Sequence, residues 1–341
     1  MFSDARPRWA PVAVLAVAGM VAFAVTASGG GLGQTLSRGM AGLAGADRRW
    51  LLVALVGFVV SLAATAAGWR ATLTVCGGRL SRVDACARYG AGSLVNTFLP
   101  ARLGEAVRVG LFSKAFGHEQ DGRALLAVGA LGAVTAADSL TQSLVVGTGA
   151  VVGPVPVWSV AVLASLVTCV MGVAIVVARR FRTGRLARAL GVFRALSESP
   201  GRALWVFGWL GVATVARLVA AIAVAASLGT ANPVDAGLVI CAVVIVATAL
   251  PLLPGNVGVT SGAIVLALHA QGVPVVLAVS AGLVFHAVEL LAGIVFGIAG
   301  TLALVPYRSM AVRRLSLGLG GLLGVGLFAA SVGIAFVPPL T

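Results

Sequence analysis

The stretch that decides the fold is Asn96-Thr-Phe-Leu-Pro100-Ala-Arg102-Leu-Gly104-Glu105-Ala-Val-Arg108. It contains the spacing Leu-Pro-x-x-x-Gly, which recurs 154 residues later at Leu253 to Gly258, again inside apolar sequence. Proline removes a backbone donor and glycine tolerates unusual backbone angles, so each motif should interrupt a hydrophobic helix. In membrane transporters, paired segments interrupted by Gly and Pro mark a substrate site at the interface of two repeats. The pattern therefore indicates transport.

Composition excludes an ordinary soluble protein. Of the 341 residues, 60% are hydrophobic and 10% are charged, and the mean hydropathy is +1.07. The surface of a soluble protein must be largely polar, which this composition does not allow. Apolar stretches of about 20 residues, long enough to cross a bilayer, recur along the chain. We therefore expect an all-α polytopic membrane protein, with residues 1–341 forming a single membrane domain.

The placement of arginine predicts the topology. Seven stretches are expected to cross the membrane, namely 9–29, 50–68, 124–150, 157–178, 203–228, 275–304 and 317–337. Seven arginines crowd the connection 179–202, which should therefore be cytoplasmic. The connections 151–156, 229–235 and 272–274 carry no Lys or Arg, as expected outside. This scheme predicts the cytoplasmic membrane, with the N-terminus in the cytoplasm and the C-terminus outside.

Two remaining apolar stretches, 88–113 and 236–271, each hold one Leu-Pro-x-x-x-Gly motif and are predicted to be re-entrant hairpins. Basic flanks place the first on the cytoplasmic side, and their absence places the second outside. The halves 50–178 and 203–341 then form an inverted-topology repeat. Residues 1–49 add an N-terminal span and its connection. Two separate crossings, 236–253 and 256–271, are the alternative to the second hairpin.

The polar residues of the first motif suit an anion. If a helix restarts after Pro100, then Arg102, Glu105 and Arg108 are spaced i,i+3 on one face. Free amides and the dipole at a helix start favour an anion, and arginine holds phosphate bidentately. Alternatively, the three residues form an ion-pair ladder that locks the hairpin. The predicted substrate-binding residues are Asn96, Pro100, Arg102, Gly104, Glu105, Arg108, Pro254, Gly255, Asn256 and Gly258.

Four ionisable residues fall inside predicted spans, namely Asp138, Arg217, His286 and Glu289. Charge inside a membrane is costly and normally is paired or lines a pathway. Asp138 and Glu289 occupy similar positions in the two halves, so Arg217 is expected to pair with one of them. His286 with Glu289 is expected to relay a proton, which makes the four a buried relay or gate. An ion pair that fixes helix register is the alternative.

Several classes of site are not expected. The His-x-x-Glu spacing at His286 has no second copy, so we predict no metal and no cofactor. The sequence has no nucleophile elbow, Walker loop or Cys/His cluster, so enzymatic activity is not expected. Apolar residues alternate with arginines over 179–202, which predicts an amphipathic helix on anionic inner-leaflet lipid rather than a nucleic-acid site.

The motif Asn96-x-x-x-Pro100-x-Arg102-x-Gly104-Glu105-x-x-Arg108, followed by Pro254-Gly255-x-x-Gly258-Val259, resembles the transmembrane-region family of lysylphosphatidylglycerol synthases. These are also known as flippase-like-domain proteins. The resemblance covers roughly 10–305 and implies a bundle with re-entrant segments that translocates lipids or lipid-linked intermediates. The synthases' soluble aminoacyl-transfer domain has no counterpart in this chain, so aminoacyl transfer is not expected.

The chain departs from the family's pattern at three places. The family often has an acidic residue where this chain has Thr260-Ser261, a Glu-Arg pair where it has Val134-Thr135, and an arginine where it has His286.

The leading hypothesis is translocation of an anionic lipid or a polyprenyl-phosphate-linked intermediate. The alternatives are a membrane transferase acting on a lipid head group, with Glu105 or Glu289 as base, and a non-transporting scaffold for a lipid or glycan synthase.

Overall fold

The computed structural model describes residues 45–98, 103–116, 122–153, 184–249 and 257–304, together with the single residues 155 and 165. Within these ranges the regular structure is α-helical. In chain order the helices are α1 (Arg48–Val75), α2 (Arg82–Phe98), α3 (Leu103–Ser113), α4 (Arg123–Val152), α5 (Arg185–Ser197), α6 (Pro200–Ser227), α7 (Pro233–Ala249), α8 (Val257–Ala270) and α9 (Val275–Leu304).

Four of the described helices, α1, α4, α6 and α9, are long and apolar enough to cross a membrane. They correspond to four of the predicted spans. The predicted spans 9–29 and 317–337, and 157–178 apart from residue 165, lie outside the described residues. Helix α1 continues to Val75, beyond the predicted end at 68, because Trp69 and Leu73 are apolar and fully buried in a cluster shared with α2, α4 and α6.

In each segment predicted to be re-entrant, the described residues form two helices, one on either side of the motif. Helices α2 and α3 have 17 and 11 described residues, and α7 and α8 have 17 and 14. At about 1.5 Å per residue, the described part of each is shorter than a hydrocarbon core of about 30 Å. The segments begin at Arg82 and Pro233, earlier than the predicted 88 and 236.

Helices α2 and α3 lie antiparallel against each other. Arg88 near the start of α2 donates to the carbonyl oxygen of Leu111 near the end of α3 at 2.6 Å. At the other end of the pair, Asn96 accepts from the backbone N–H of Gly104 at 2.7 Å. The two antiparallel helices therefore lie on either side of the first motif, which predicts an interruption.

Apart from α5, the described helices fall into two sets of similar length. Helices α1 and α6 have 28 residues each and begin 152 residues apart, at Arg48 and Pro200. Helices α4 and α9 have 30 residues each and are also 152 apart, and α2 and α7 have 17 residues each and are 151 apart. Helices α3 and α8 begin 154 apart, at Leu103 and Val257. The offset is 154 throughout the motifs and is 151 or 152 at the starts of the other equivalent helices.

Both sets also pack in the same way. Helix α2 packs on α9 as α7 packs on α4, and α1 packs on α9 as α6 packs on α4. The neighbours α1 and α2, α2 and α3, and α3 and α4 touch, as do α6 and α7, α7 and α8, and α8 and α9. Helices α1 and α6 touch each other at the centre. The second set therefore repeats the first in both length and neighbours.

The central helices α1 and α6 cross antiparallel. A Cβ on Gly57 would lie 3.0 Å from that of Ala220, and a Cβ on Gly68 would lie 3.0 Å from the side chain of Leu210. At the end of the pair, the N–H of Asp47 donates to the carbonyl oxygen of Ser227 at 2.8 Å. With the offset of 152, Ala220 is the equivalent of Gly68, and Leu210 is one residue beyond the equivalent of Gly57. The contact is thus self-complementary, as at a two-fold interface.

Helix α5 packs on α4. The carbonyl oxygen of Ala189 lies so close to Gly129 that a Cβ there would collide with it. Val192 is fully buried, and the ring of Phe193 lies beside Gly132 of α4. The segment 179–202 therefore does contain an amphipathic helix, and its residues Ala189, Val192 and Phe193 pack on α4.

Candidate functional site

Arg108 is held in place by three side chains of the first hairpin. Its Nη1 donates to Oε1 of Glu105 at 2.5 Å, and its Nη2 donates to Oγ of Ser93 at 2.7 Å. The guanidinium carbon lies 4.1 Å from the ring centre of Tyr89. Arg108 is only 7% exposed, whereas the side chain of Glu105 is 28% exposed. For Arg108, this geometry favours the alternative in which it locks the hairpin.

Asn96 joins the end of α2 to the start of α3. Its Oδ1 accepts from the N–H of Gly104, and its Nδ2 lies 3.4 Å from Oε1 of Glu105. Gly104 is the second residue of α3, so its amide is one of those that a helix leaves free at its start. Because Asn96 caps it, this amide does not stand free for an anion as the sequence predicts.

The close approach of α2 and α3 depends on glycine. A Cβ on Gly104 would collide with the carbonyl oxygen of Gly92 and with the side chain of Asn96. The steric fit between the two helices therefore requires glycine at position 104.

A second polar cluster surrounds Arg217, which is half-buried on α6. The charges of Glu289 on α9 and Asp138 on α4 both act on its guanidinium. Among the described residues, no carboxylate oxygen lies within 4.0 Å of Arg217. Asp138 instead accepts from Nε2 of Gln142 at 2.7 Å. Arg217 therefore faces both carboxylates without a direct ion pair to either.

The interface of α4 and α6 is polar next to this cluster. The hydroxyl oxygens of Thr141 and Thr214 are 3.0 Å apart and both residues are buried. Thr141 lies one turn from Asp138, and Thr214 lies one turn from Arg217. The hydroxyl pair thus holds the helices that carry Asp138 and Arg217 together.

His286 lies buried on α9 beside Glu289. Its Nδ1 is 3.9 Å from Oε2 of Glu289, and neither ring nitrogen has a hydrogen-bond partner among the described residues. His286 is 5% exposed, whereas the side chain of Glu289 is 32% exposed. The pair predicted from the spacing is therefore formed, with the carboxylate on the more accessible side.

Tyr89 connects the two clusters. The charges of Arg108 and Glu105 act on its hydroxyl, and so do those of Arg217 and Asp138.

Sequence reasoning overlooked Tyr89 and Ser93, although Tyr89, Ser93 and Asn96 follow an i, i+4, i+7 pattern on one face of α2. It also overlooked Cys241 of α7, a buried thiol on which the charges of Arg217 and Glu289 act.

The polar residues of the first hairpin have apolar equivalents in the second. Adding the offset of 151, the equivalents of Tyr89, Ser93 and Asn96 on α7 are Ile240, Val244 and Ala247. Adding 154, the equivalents of Glu105 and Arg108 on α8 are Val259 and Gly262. The two halves share a fold, but the described hairpin chemistry belongs to the first half.

The equivalence also refines one comparison between the halves. With the offset of 152 that relates α4 to α9, Asp138 corresponds to Leu290, one residue beyond Glu289. If α4 is superposed on α9 in this register, the two carboxylates therefore point about 100° apart around the helix axis.

Five of the predicted substrate-binding residues lie outside the described residues, namely Pro100, Arg102, Pro254, Gly255 and Asn256. Gly258 is the second residue of α8, as Gly104 is of α3. Within the described ranges, no three or more His, Cys, Asp or Glu side chains are grouped so that they could hold a metal ion.

The sequence was compared with known proteins. The model of the family described as "Lysylphosphatidylglycerol synthase TM region" matches residues 36–297, which is 262 of 341 residues and includes α1 to α8 and most of α9. No curated protein sequence matches the chain. This match and the four long apolar helices make it a multi-pass membrane protein with a lipid-related role, and the chain belongs to the family of the lysylphosphatidylglycerol synthase transmembrane region.

Proposed function

We propose that this protein translocates an anionic lipid, or a polyprenyl-phosphate-linked intermediate, across the cytoplasmic membrane. The observation that carries the proposal is the self-complementary, antiparallel crossing of α1 and α6 beside a group of charged residues in the interior of the bundle. Charge is costly inside a membrane and is normally retained along a substrate or ion pathway.

The antiparallel crossing supports an inverted-topology repeat. If equivalent helices of two halves run in opposite directions, the halves are related by an axis in the membrane plane. Each half then consists of one span, a re-entrant hairpin, and further spans. Rocking of one half against the other opens a central site to each leaflet in turn, which is the motion that translocation requires.

The distribution of arginine supports the orientation. The ends of α1, α3 and α5 and the starts of α2 and α6 expose basic residues, namely Arg79, Arg82, Lys114, Arg194 and Arg202. Arg79 donates its backbone N–H to the carbonyl oxygen of Ala115, which ties the ends of α1 and α3 together. By the positive-inside rule this end faces the cytoplasm, so the first hairpin enters from the cytoplasmic side. The exposed arginines of α5 are then directed towards anionic inner-leaflet lipid.

The residues take different parts in this proposal. Arg102 binds the head-group phosphate, and Asn256 supplies a neutral hydrogen-bond donor. Arg108 acts through Glu105, whose side chain it positions. The two motifs contribute proline and glycine, whose backbones suit a helix interruption, namely Pro100, Gly104, Pro254, Gly255 and Gly258. Asp138, Arg217, His286 and Glu289 form the gate through which the head group passes.

The test uses proteoliposomes with fluorescent anionic phospholipid or labelled polyprenyl phosphate in both leaflets and a quencher added outside. We expect the wild-type protein to speed translocation, and R102A or R217Q to slow it at least about tenfold, since each removes a charged hydrogen-bonding group. R82A removes an exposed arginine from the cytoplasmic end and serves as the matched control. Equal rates for the wild type, R102A and R217Q would refute the assigned roles, and formation of a modified lipid would favour the transferase.

A further inference from the structure

The buried side chain of His286 has no described hydrogen-bond partner. Both ring nitrogens are inaccessible and neither makes a hydrogen bond within the described structure. A neutral imidazole always carries one N–H donor, and burying a donor without a partner is costly. Such groups are rare in native proteins and call for an explanation. The carboxylate of Glu289 is placed to provide one, because its Oε2 lies 3.9 Å from Nδ1 of His286.

The charges around this pair do not balance. Arg217 provides one positive charge, whereas Asp138 and Glu289, which both act on it, provide two negative charges when ionised. The neighbouring pair of Glu105 and Arg108 is neutral by itself. An uncompensated charge in a membrane interior is unfavourable, and one added positive charge brings the cluster to neutrality.

The groups available to provide this charge lie on the helices packed against α9. Helix α9 contacts α1, α2, α6 and α8 among the described helices. Helix α1 presents Phe58, which packs edge-on against Phe285 beside His286. Helix α2 contributes the neutral hydroxyl of Tyr89. Helix α6 contributes Arg217, whose positive charge is already part of the balance with Asp138 and Glu289.

The remaining histidine within the described residues lies elsewhere. On α8, His269 is exposed near the helix end and its Nδ1 lies 3.3 Å from the carbonyl oxygen of Val273. On α7, the thiol of Cys241 is close enough to sense Arg217 and Glu289, and a thiol adds no positive charge. His286 is thus the group in the cluster that gains a positive charge by binding a proton.

We propose that His286 and Glu289 form a binding site for a single proton, which is the ion coupled to translocation. The proton passes from water to the half-exposed carboxylate of Glu289 and then to a ring nitrogen of His286. The resulting imidazolium pairs with the carboxylate, and the cluster with Arg217 and Asp138 becomes neutral. Release of the proton restores the net negative charge. The coupling rests on the proposed translocator function, whereas the proton site itself does not.

The first experiment tests the site without any transport. The chain has three histidines, so full-length protein with isotope-labelled histidine gives few ring signals, and the signal lost in H286Q identifies His286. We expect that signal to change between about pH 5 and pH 8, the range over which histidine usually titrates. In E289Q the midpoint pH of this signal change should move by about one unit. The reason is that a carboxylate as close to the imidazole as Glu289 is shifts the protonation of the ring by about that much. A His286 signal that stays the same over the whole range would overturn the proposal.

The second experiment tests coupling in proteoliposomes with an imposed pH gradient. We expect the gradient to change the wild-type rate at least about fivefold, as is common for linked binding events. H286Q should translocate at a rate that the gradient does not alter, whereas H269Q, with an exposed histidine replaced, should keep the wild-type response. A response to the gradient that persists in H286Q would overturn the coupling. If the wild-type protein moves no lipid, the proposed function fails, and the histidine signal still decides whether the proton site exists.

Discussion

Replacement of Arg108 distinguishes two roles for this residue, namely stabilising the hairpin and binding phosphate. R108M keeps most of the side-chain volume but removes the donors to Glu105 and Ser93 and the contact with Tyr89. A hydrogen bond involving a charged group contributes about 1.5–3 kcal/mol. A cation–π contact contributes about 0.5–2 kcal/mol. The lower ends of these ranges apply because the side chain of Glu105 is 28% exposed and water can replace its partner. Two such hydrogen bonds and one such contact together predict that R108M lowers the free energy of unfolding by about 3.5 kcal/mol.

The assay is equilibrium unfolding in mixed micelles, followed by tryptophan fluorescence and circular dichroism. R82M replaces an exposed arginine at the start of α2 and should change stability by less than about 0.5 kcal/mol. E105Q should be milder than R108M, and the double variant R108M/E105Q should cost about 1–2 kcal/mol less than the sum of the single variants, since the two residues are in contact. If R108M unfolds like the wild type but fails to translocate lipid, Arg108 binds substrate and the reasoning for a lock is wrong.

Two further predictions concern close helix contacts. G104A should lower the free energy of unfolding by about 1–3 kcal/mol, because the added Cβ collides with α2. In the same helix, G110A meets nothing within 4 Å and should be neutral or stabilising by up to about 1 kcal/mol, so equal effects of the two variants would contradict this packing. In protein without its native cysteines, G57C/A220C should form a disulfide on oxidation, because the two Cβ positions are 3.0 Å apart and a small shift reaches disulfide geometry. Trp209 is the equivalent of Gly57 at the offset of 152, so the pair G57C/W209C tests a parallel crossing of α1 and α6. A disulfide in this pair and none in G57C/A220C would exclude the antiparallel arrangement.

Much of the fold could be predicted from local features. Long apolar stretches predict α1, α4, α6 and α9, because a bilayer requires about 20 apolar residues in each crossing helix. The proline and glycine of the first motif predict an interruption, and the described helices on either side of it, α2 and α3, are antiparallel. The end of α1 was predicted too early, because the burial of Trp69 and Leu73 depends on neighbouring helices and not on local hydropathy.

The candidate site was predicted less completely. The spacing of Glu105 and Arg108, and that of His286 and Glu289, shows that each pair shares a helix face, and both pairs are in place. The expectation of free amides at the start of α3 did not hold for Gly104, because the capping oxygen comes from Asn96 on another helix. A contact of this kind between two helices cannot be recognised from the local sequence of either helix.

The amino-acid sequence by itself determined that the protein lies in a membrane, where its long apolar helices run, and which polar residues these helices carry. These properties follow from hydrophobic transfer and from backbone sterics, which act over a few residues. Only the tertiary structure decided that Arg217 faces Asp138 and Glu289 from three different helices, and that α1 and α6 cross antiparallel at Gly57 and Ala220. The physical reason is that side-chain packing and long-range electrostatics depend on distances between segments far apart in the chain, and those distances exist only once the helices have assembled.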